Sequence, residues 1–573
     1  MNNPEILQNI GNKTEESEFY TPIPEGYEKG RTKYIIITGS VMSGLGKGIF
    51  SASLCNLFQD NGYVCSPIKF DGYLNQDAGT LNPYRHGEVF VLDDGLECDM
   101  DLGTYERLLD KNLTQLNYLT SGKIFNKVLT RERSGKYLGR DVQFIPHVTG
   151  EIKMFLRELA MKTNADIVAI EVGGTVGDIE NGYFIEAMRQ LAFEEGEKNS
   201  CFVNVTYIPE PGFLGEQKSK AAQLGIKGLM ELGIQPDIIA CRSTRPITRK
   251  IREKLSLYSN VPVENVVGVH DKESIYLIPG LLRSAGIDKI ALNKLGLIKR
   301  SQEESRKWSN FVEKTLNPEK EITIGVTGKY IGLRDSYASI IKALEHAGTY
   351  LGAKVNLKWI EVTDIEEDVK SVEEALKDVA GIIVPGGFGK RGTEGKIACI
   401  KYARENNLPY LGLCLGFQMA VIEYARNVCG LEGANTTEVE DNSNHPVIDI
   451  LPEQKNIESL GGNMRLGGHD VEIKEGSMAN EFYGKTMIRE RFRHRYECNP
   501  EYITKLEEKG LVFSGKAPNQ QIMQILELPG HPFFVGTQYH GEYTSRPLRP
   551  HPLYLGFVKA AMKEKKIMTI SHT

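Results

Sequence analysis

One cysteine of the nine stands between two glycines, in Gly412-Leu413-Cys414-Leu415-Gly416, where a short apolar run passes into the helix-like FQMAVIEYAR. G-x-C-x-G at a strand-to-helix junction predicts a nucleophile elbow, because the glycines permit the tight turn that exposes the side chain. The thiol would face a helix N-terminus, whose dipole and free N–H groups favour thiolate. A thiolate nucleophile needs a base, and the base needs an orienting group. In FFVGTQYHGE, His540 and Glu542 stand two apart on an expected strand, where a period of two puts both on one face. Acyl transfer also needs oxyanion donors. Pro385-Gly386-Gly387-Phe388-Gly389 follows the apolar run Gly381 to Val384, and its side-chain-poor backbone can aim N–H groups at a carbonyl. By itself such a loop is an ordinary tight turn; with the elbow and the His-x-Glu pair it completes a set for amide hydrolysis through a thioester.

A second kind of chemistry is written near the N-terminus. The run Tyr34 to Thr38 is followed by Gly39-SVMSGL-Gly46-Lys47-Gly48 and then by the helix-like IFSASLCNLFQ. Spacing and last residue both depart from the usual phosphate loop, G-x-x-x-x-G-K-[ST]. Its physics is retained: exposed backbone N–H groups, the Lys47 charge and a helix N-terminus behind. With Gly48 in place of a hydroxyl residue, magnesium must be held by carboxylates elsewhere, since Mg²⁺ usually takes one or two plus phosphate oxygens. Asp101, in CDMDLG, and Glu171, closing the strand DIVAIE, are the candidates. Glu171 is expected at the C-terminal end of a parallel strand, where open α/β sheets bind ligands.

Two series of short Val/Ile-rich runs must position these residues. The first holds YIIIT, ADIVAIEV, FVNVTYI and PDIIACR; the second holds EITIGVTG, VNLKWIEV, AGIIVPGG and LPYLGLCLG. Runs apolar on both faces and alternating with helical stretches predict parallel sheets covered by helices, hence two tandem doubly wound α/β domains. Between them, residues 299–320 (KRSQEESRKWSNFVEKTLNPEK) are charged and strand-free, the best linker. The domain plan is a flexible extension at residues 1–30, a first α/β domain at 31–298, the linker, a second α/β domain at 321–565 and a tail at 566–573. At 573 residues, 40% hydrophobic and 25% charged, the chain is long enough for two or three globular cores. A net charge of −6 calls for neither nucleic acid nor an anionic membrane. Scattered cysteines without C-x-x-C predict a reducing, cytoplasmic setting. No apolar run approaches the ~18–20 residues that span a bilayer.

The elbow, oxyanion loop and His-x-Glu resemble a class I glutamine amidotransferase domain, in which they occur in the same order along the chain. The resemblance implies that Cys414 attacks the glutamine amide, His540 shuttles protons and Glu542 orients it, with Gly387, Leu415, Gln418, Glu438 and Arg495 binding glutamine. The first half resembles the synthetase domain of the CTP synthase family through MSGLGKGI, HGEVFVLDDG, DMDLGTYER, EVGGTVGDIE, GEQKSK, IQPDII and ESIYLIPGLL. In this family ATP phosphorylates the uracil O4 of UTP, and ammonia from glutamine displaces the phosphate to give CTP. The resemblance implies that Lys47 is catalytic and that Ser43, Gly44, Leu45, Gly46, Lys47, Gly48, Ile49, Asp101 and Asp271 bind ATP. Asp101 and Glu171 would bind Mg²⁺, and Lys69 would add a transfer-site charge. UTP or CTP would be held by Ser43, Asp178, Ile179, Glu180, Lys218, Lys220, Gln223 and Lys254, and ammonia would pass Pro83, His86 and Val89. It implies further a homotetramer, assembled into filaments in some members, activation by GTP and inhibition by CTP.

Four departures bear on substrate. The family's uridine run K-T-K-P-T-Q-H is here Lys218-Ser219-Lys220-Ala221-Ala222-Gln223-Leu224; its H-P-E is His540-Gly541-Glu542; Ser40 stands for a usual glycine of the loop; and His270-Asp271-Lys272 differs at the expected adenine contact. Besides an active CTP synthase, two readings stand: an ATP-dependent amidoligase with another substrate, and a weakly active relative whose role is filament assembly.

Overall fold

The computed structural model describes residues 20–563 except 138, 213–214, 302–304, 329–333 and 451–463, together with 568 and 569. Residues 1–19 of the extension and most of the tail lie outside the described residues. Two compact units are present, one of residues 20–80 and 104–305, the other of 81–103 and 306–573.

In the first unit, seven strands form one parallel sheet. They are β1 (Lys33–Gly39), β2 (Cys65–Asp71), β3 (Tyr118–Thr120), β4 (Ile167–Val172), β5 (Ser200–Tyr207), β6 (Ile238–Ser243) and β7 (Val266–His270), in the order β3-β2-β4-β1-β5-β6-β7. Tyr34 and Ile35 to Ile37 of the central β1 have no exposed surface, as the continuous apolar run requires when helices cover both faces. Each such isoleucine contributes roughly 1.5–3 kcal/mol by leaving water. Helix α1 (Lys47–Asp60) follows the glycine loop; α2 (Thr149–Lys162) and α3 (Gly182–Glu195) pack together, as do α4 (Lys220–Glu231) and α5 (Arg249–Ser259).

Tyr20, Pro22 and Tyr27, in the part of the 1–30 extension that is described, make contacts with the first unit. The Tyr20 hydroxyl donates to Glu151 Oε1 at 2.6 Å, and Arg157 Nη1 donates to the Pro22 carbonyl at 3.3 Å. The Tyr27 and Tyr34 hydroxyls lie 2.8 Å apart. A tyrosine body with a buried polar tip holds a chain that its prolines keep from becoming a helix.

The second unit carries a ten-stranded sheet that is parallel on one side and antiparallel on the other. Its strands include β8 (Lys320–Gly328), β9 (Ala353–Glu361), β10 (Gly381–Val384), β11 (Tyr410–Leu413), β12 (Arg465–Ile473), β13 (Met487–His494), β14 (Val512–Lys516), β15 (Met523–Glu527) and β16 (Phe534–Thr537). The order β9-β8-β10-β11-β16 is parallel, and β16-β15-β14-β12-β13 continues antiparallel. Helix α6 (Leu415–Asn427) leaves β11, and α7 (Pro552–Ala561) closes the unit. Within the charged stretch read as a linker, Arg306–Leu316 is helical. Residues 81–103 enter this unit as a short helix, Pro83–His86, and a hairpin of Val89–Val91 with Glu97–Asp99. They are stitched in by Glu88, which accepts from the Ser339 N–H at 3.1 Å, and by Arg493 Nε, which donates to Glu97 at 2.6 Å.

Candidate active sites

In the second unit β11 ends at Leu413 and α6 starts at Leu415, leaving Cys414 between them at φ 50°, ψ −99°. An L-residue reaches that left-handed φ only when its surroundings enforce it, and such strain clusters at functional turns. Two hydrogen bonds enforce it here: the Cys414 N–H to the Thr537 carbonyl at 2.7 Å, and the Gln418 N–H to the Cys414 carbonyl at 3.2 Å. The flanking glycines are required by space as well as by the turn. A Cβ on Gly412 would lie 2.1 Å from the Tyr410 hydroxyl, and one on Gly416 would lie 2.1 Å from the Val384 carbonyl oxygen.

His540 lies beyond the end of β16, and Glu542 is in a 3₁₀ turn, Gly541–Tyr543. The strand expected through both residues is therefore corrected, because β16 stops at Thr537. They meet because the tight turn folds Glu542 back: His540 Nδ1 and Glu542 Oε1 are 2.8 Å apart. Cys414 lies beside the same ring: a Cβ on Gly386 would sit 3.5 Å from Cys414 Cβ and 3.8 Å from His540 Nε2. Burial opposes a charge on His540, but the Glu542 carboxylate and the Cys414 sulfur outweigh it and hold the imidazole pKa up to about 10. The sulfur also lies 3.6 Å from the Arg493 carbonyl and 3.9 Å from Gln538 Nε2.

Gly386 of the expected oxyanion loop faces this pair, since a Cβ there would sit 2.9 Å from His540 Cε1 and 3.5 Å from Cys414 Cβ. A Cβ on Gly387 would face Leu415 at 3.5 Å. Gln418 donates to the Tyr496 carbonyl at 2.8 Å, Glu438 accepts from the Gly389 N–H at 2.8 Å, and Arg495 adjoins Tyr496 just beyond β13. All five residues expected to bind glutamine belong to this unit. Of the three assigned to ammonia passage, Pro83 and His86 bound the short helix, and the Val89 carbonyl accepts from the Tyr543 hydroxyl at 3.1 Å.

Sequence reasoning missed Tyr543, whose ring stacks on His540 with centroids 4.9 Å apart and planes at 15°. It missed Gln538 too. A Tyr one residue past a His-x-Glu carried no signal, because only the 3₁₀ turn brings its ring under the imidazole.

In the first unit, the glycine loop has left-handed φ at Val41, Gly44 and Gly46, and Lys47 opens α1. Lys47 Nζ donates to the Gly174 carbonyl at 2.7 Å and lies 2.8 Å from where a Cβ on Gly39 would be. The Val176 N–H donates to the Gly39 carbonyl at 2.8 Å, so the Gly173–Asp178 loop closes over the end of β1. Glu171 is buried near the end of β4, accepts from the Tyr105 hydroxyl and is in register with Lys69 on β2. Gly46, Ile49 and Asp271 line a cavity of about 140 Å³ with Phe50, Arg242 and Lys272, and Arg242 pairs with Asp271 at 2.8 Å. Asp178 accepts from the Thr175 N–H at 2.8 Å, while Ile179 is 91% exposed. Gln223 binds Ser219 at 3.0 Å and Lys218 pairs with Glu216 at 3.2 Å; Lys220 and Lys254 are exposed on α4 and α5. Asp101, in the segment 81–103 that belongs to the second unit, sits in the first turn of the helix Met100–Leu109, with its N–H on Asp99 at 2.9 Å.

A strained cysteine elbow served by a His–Glu pair, on a sheet of this topology, defines a class I glutamine amidotransferase; the parallel sheet with its glycine loop and buried lysine defines an α/β synthetase domain preceding it. Comparisons with known proteins agree. The CTP synthase N-terminus family matches residues 33–297, and the class-I glutamine amidotransferase family matches residues 333–560. A CTP synthase of Caldanaerobacter subterraneus subsp. tengcongensis is 50% identical over 533 residues, 93% of this chain and 99% of that protein. One from Pyrococcus abyssi is 50% identical over 542 residues, 94% of this chain and 100% of the other. The glutaminase domain of Trypanosoma brucei CTPS, solved with acivicin, is 36% identical and covers 43% of this chain and 95% of that one, with a TM-score of 0.41. The chain belongs to the CTP synthase family of glutamine-hydrolysing ligases.

Proposed function

We propose that the chain makes CTP from UTP, with ATP as phosphoryl donor and glutamine as nitrogen source. The observation that carries the glutaminase half is the His540–Glu542 hydrogen bond beside Cys414 on a left-handed elbow. The sulfur attacks the glutamine carboxamide carbon, and the C–N bond breaks. His540 delivers the proton that lets the nitrogen leave as ammonia. Water then hydrolyses the thioester to glutamate. Gly386 and Gly387 supply the oxyanion donors, and Leu415, Gln418, Glu438 and Arg495 hold the amino acid. Ammonia then leaves along Pro83, His86 and Val89.

In the synthetase domain, Lys47 and the loop Ser43 to Ile49 hold the ATP phosphates, Asp271 borders the cavity for the base, and Lys69 adds charge at the transfer site. Uracil O4 accepts the phosphoryl group; ammonia attacks C4 and phosphate departs. Asp178, Ile179, Glu180, Lys218, Lys220, Gln223 and Lys254 hold the pyrimidine nucleotide. Among the described residues no trio of His, Cys, Asp or Glu forms a metal cage. Buried Glu171, in register with Lys69, fits instead a Mg²⁺ held by one or two carboxylates and phosphate oxygens, and Asp101 is the second carboxylate we assign. Mg²⁺ neutralises charge on the transferring phosphates when bound. We assign also a homotetramer in the cytoplasm, activated by GTP, inhibited by CTP and open to filament assembly. No helix among the described residues is long and apolar enough to cross a membrane.

The test is incubation of the purified protein with UTP, ATP, Mg²⁺ and glutamine or ammonium, with chromatography for CTP. CTP is expected from either nitrogen source, and Cys414→Ala should abolish only the glutamine-dependent reaction. No CTP from either source overturns the assignment of substrate; equal loss of both in Cys414→Ala overturns the role of the thiol.

A further inference from the structure

Gly541, the residue between the two partners of Cys414, is pressed against a side chain that has no part in the chemistry of the triad. A Cβ at position 541 would lie 2.5 Å from Cε1 and 2.6 Å from Nε2 of His551. The ring of His551 therefore fills the place that a side chain at 541 would take.

His551 is the N-cap residue of α7 and is 4% exposed. Its Nε2 lies 3.1 Å from Glu490 Oε1 and 2.9 Å from the Tyr483 hydroxyl. Tyr483 donates in turn to Glu490 Oε1 at 2.9 Å, so ring and carboxylate are held together. Glu490 Oε2 accepts from the Thr544 hydroxyl at 3.0 Å, and that hydroxyl also reaches the Gly541 carbonyl at 3.2 Å. The next residue on β13, Arg491, accepts the His540 N–H at its carbonyl at 2.8 Å. Contacts thus run in a closed ring from Gly541 through His551, Glu490 and Thr544 back to Gly541. The turn that folds Glu542 onto His540 rests on this ring, and Tyr543 stacks on the imidazole.

We propose that His551, held by Glu490, is a positioning residue for glutamine hydrolysis: it is the floor on which the Gly541 turn sets the distance and direction between His540 and Glu542. It touches neither glutamine nor the sulfur. The inference rests on the His540–Glu542 reading above and adds the device that fixes it. Two properties follow. A side chain added at 541 in this structure must displace the His551 ring, because close-packed interiors cannot absorb a 2.5 Å approach without movement. Substitutions at 541 and 551 must also couple strongly, as residues in direct contact do.

The experiment is a double-mutant cycle on the full-length protein, measuring glutamate release and CTP formation from glutamine and from ammonium. Gly541→Ala should push His551 off Glu490 and lower kcat for glutamine hydrolysis about 10–100-fold, the scale of a misplacement near 1 Å in an active site. His551→Ala should lower kcat about 5–20-fold with KM for glutamine within about twofold, through lost alignment. His551→Gln, whose amide can still donate to Glu490, should recover most of that loss. In the His551→Ala background a methyl group added at position 541 has space, so the double variant should be no worse than His551→Ala alone. CTP formation from ammonium should stay within about twofold of wild type in every variant. The pH profile of glutamine hydrolysis should shift in His551→Ala, because the His540–Glu542 contact that sets it is loosened. Losses that multiply in the double variant would overturn the proposal, as would an unchanged kcat and pH profile in His551→Ala, or parallel loss of the ammonium-dependent reaction. Failure of the underlying triad reading is distinguishable, since it would appear as wild-type protein without glutaminase activity or as an active Cys414→Ala.

Discussion

Replacing Glu542 by glutamine keeps the shape of the site and removes one charge, which makes it the most informative single change at the triad. The carboxylate lies 2.8 Å from His540 Nδ1 in a buried site, and with the sulfur it outweighs a burial effect that by itself lowers the imidazole pKa. Hydrogen bonds to a charged partner contribute about 1.5–3 kcal/mol, so glutamine hydrolysis should slow by roughly 10–150-fold if that stabilisation acts in the transition state. The pH dependence has a definite sign. His540 is held up to about 10 in the folded protein against an ordinary value of 6.5. Its charged contacts therefore stabilise the fold fully below about pH 6.5, and that contribution is lost as pH rises through about 10. Glu542→Gln should drop the His540 value by removing its main support, so both the alkaline fall in stability and the alkaline limb of glutaminase activity should move to lower pH. Glutamate release from about pH 6 to about pH 10.5, with thermal unfolding at the same pH values, measures both. A variant within twofold of wild type in kcat, or one with an unmoved alkaline limb, would refute the electrostatic role assigned to Glu542. Loss of CTP formation from ammonium to the same degree would instead mark general damage.

Gly416→Ala tests the elbow: its methyl carbon would meet the Val384 carbonyl oxygen at 2.1 Å, so α6 must shift against β10. Overpacking of that kind costs about 1–3 kcal/mol, and a lowered Tm together with loss of glutamine-dependent, but not ammonium-dependent, CTP formation is expected. An unchanged Tm would show that α6 is not seated as described. Tyr20→Ala removes the hydroxyl on Glu151 and a ring 5.4 Å from Tyr137, and should destabilise the first unit by about 1–3 kcal/mol in denaturant titration. No change in the unfolding midpoint would leave residues 20–30 part of the loose extension that the composition suggested.

Much of the architecture was legible because it rests on local patterns. Continuous Val/Ile runs such as Tyr34 to Thr38 call for strands covered on both faces, so the parallel sheet of the first unit and the parallel half of the second followed from the residues, while the antiparallel half of the second did not. The elbow was legible for the same reason, since Gly412 and Gly416 carry the steric requirement in their own composition. Domain limits were less so. Residues 81–103 lie amid synthetase-like text, yet Glu88 and Glu97 find Ser339 and Arg493, hundreds of residues away, and the segment packs with the second unit.

What the amino-acid order determined by itself was the inventory: a thiol on a tight turn, an imidazole and a carboxylate two residues apart, a lysine after a glycine loop, and the two sheets to carry them. Tertiary structure decided how those groups meet. His540 and Glu542 face each other through a 3₁₀ turn and not through the alternation of a strand, because β16 ends at Thr537 and the chain folds onto His551. The charge on His540 was equally beyond reach of the sequence, since the Glu542 carboxylate and the Cys414 sulfur must outweigh burial, and only folding brings them beside the ring. Spacing along a chain specifies which groups can be close; the depth of burial and the packing beneath a turn, both sums over distant residues, specify whether they are poised to react.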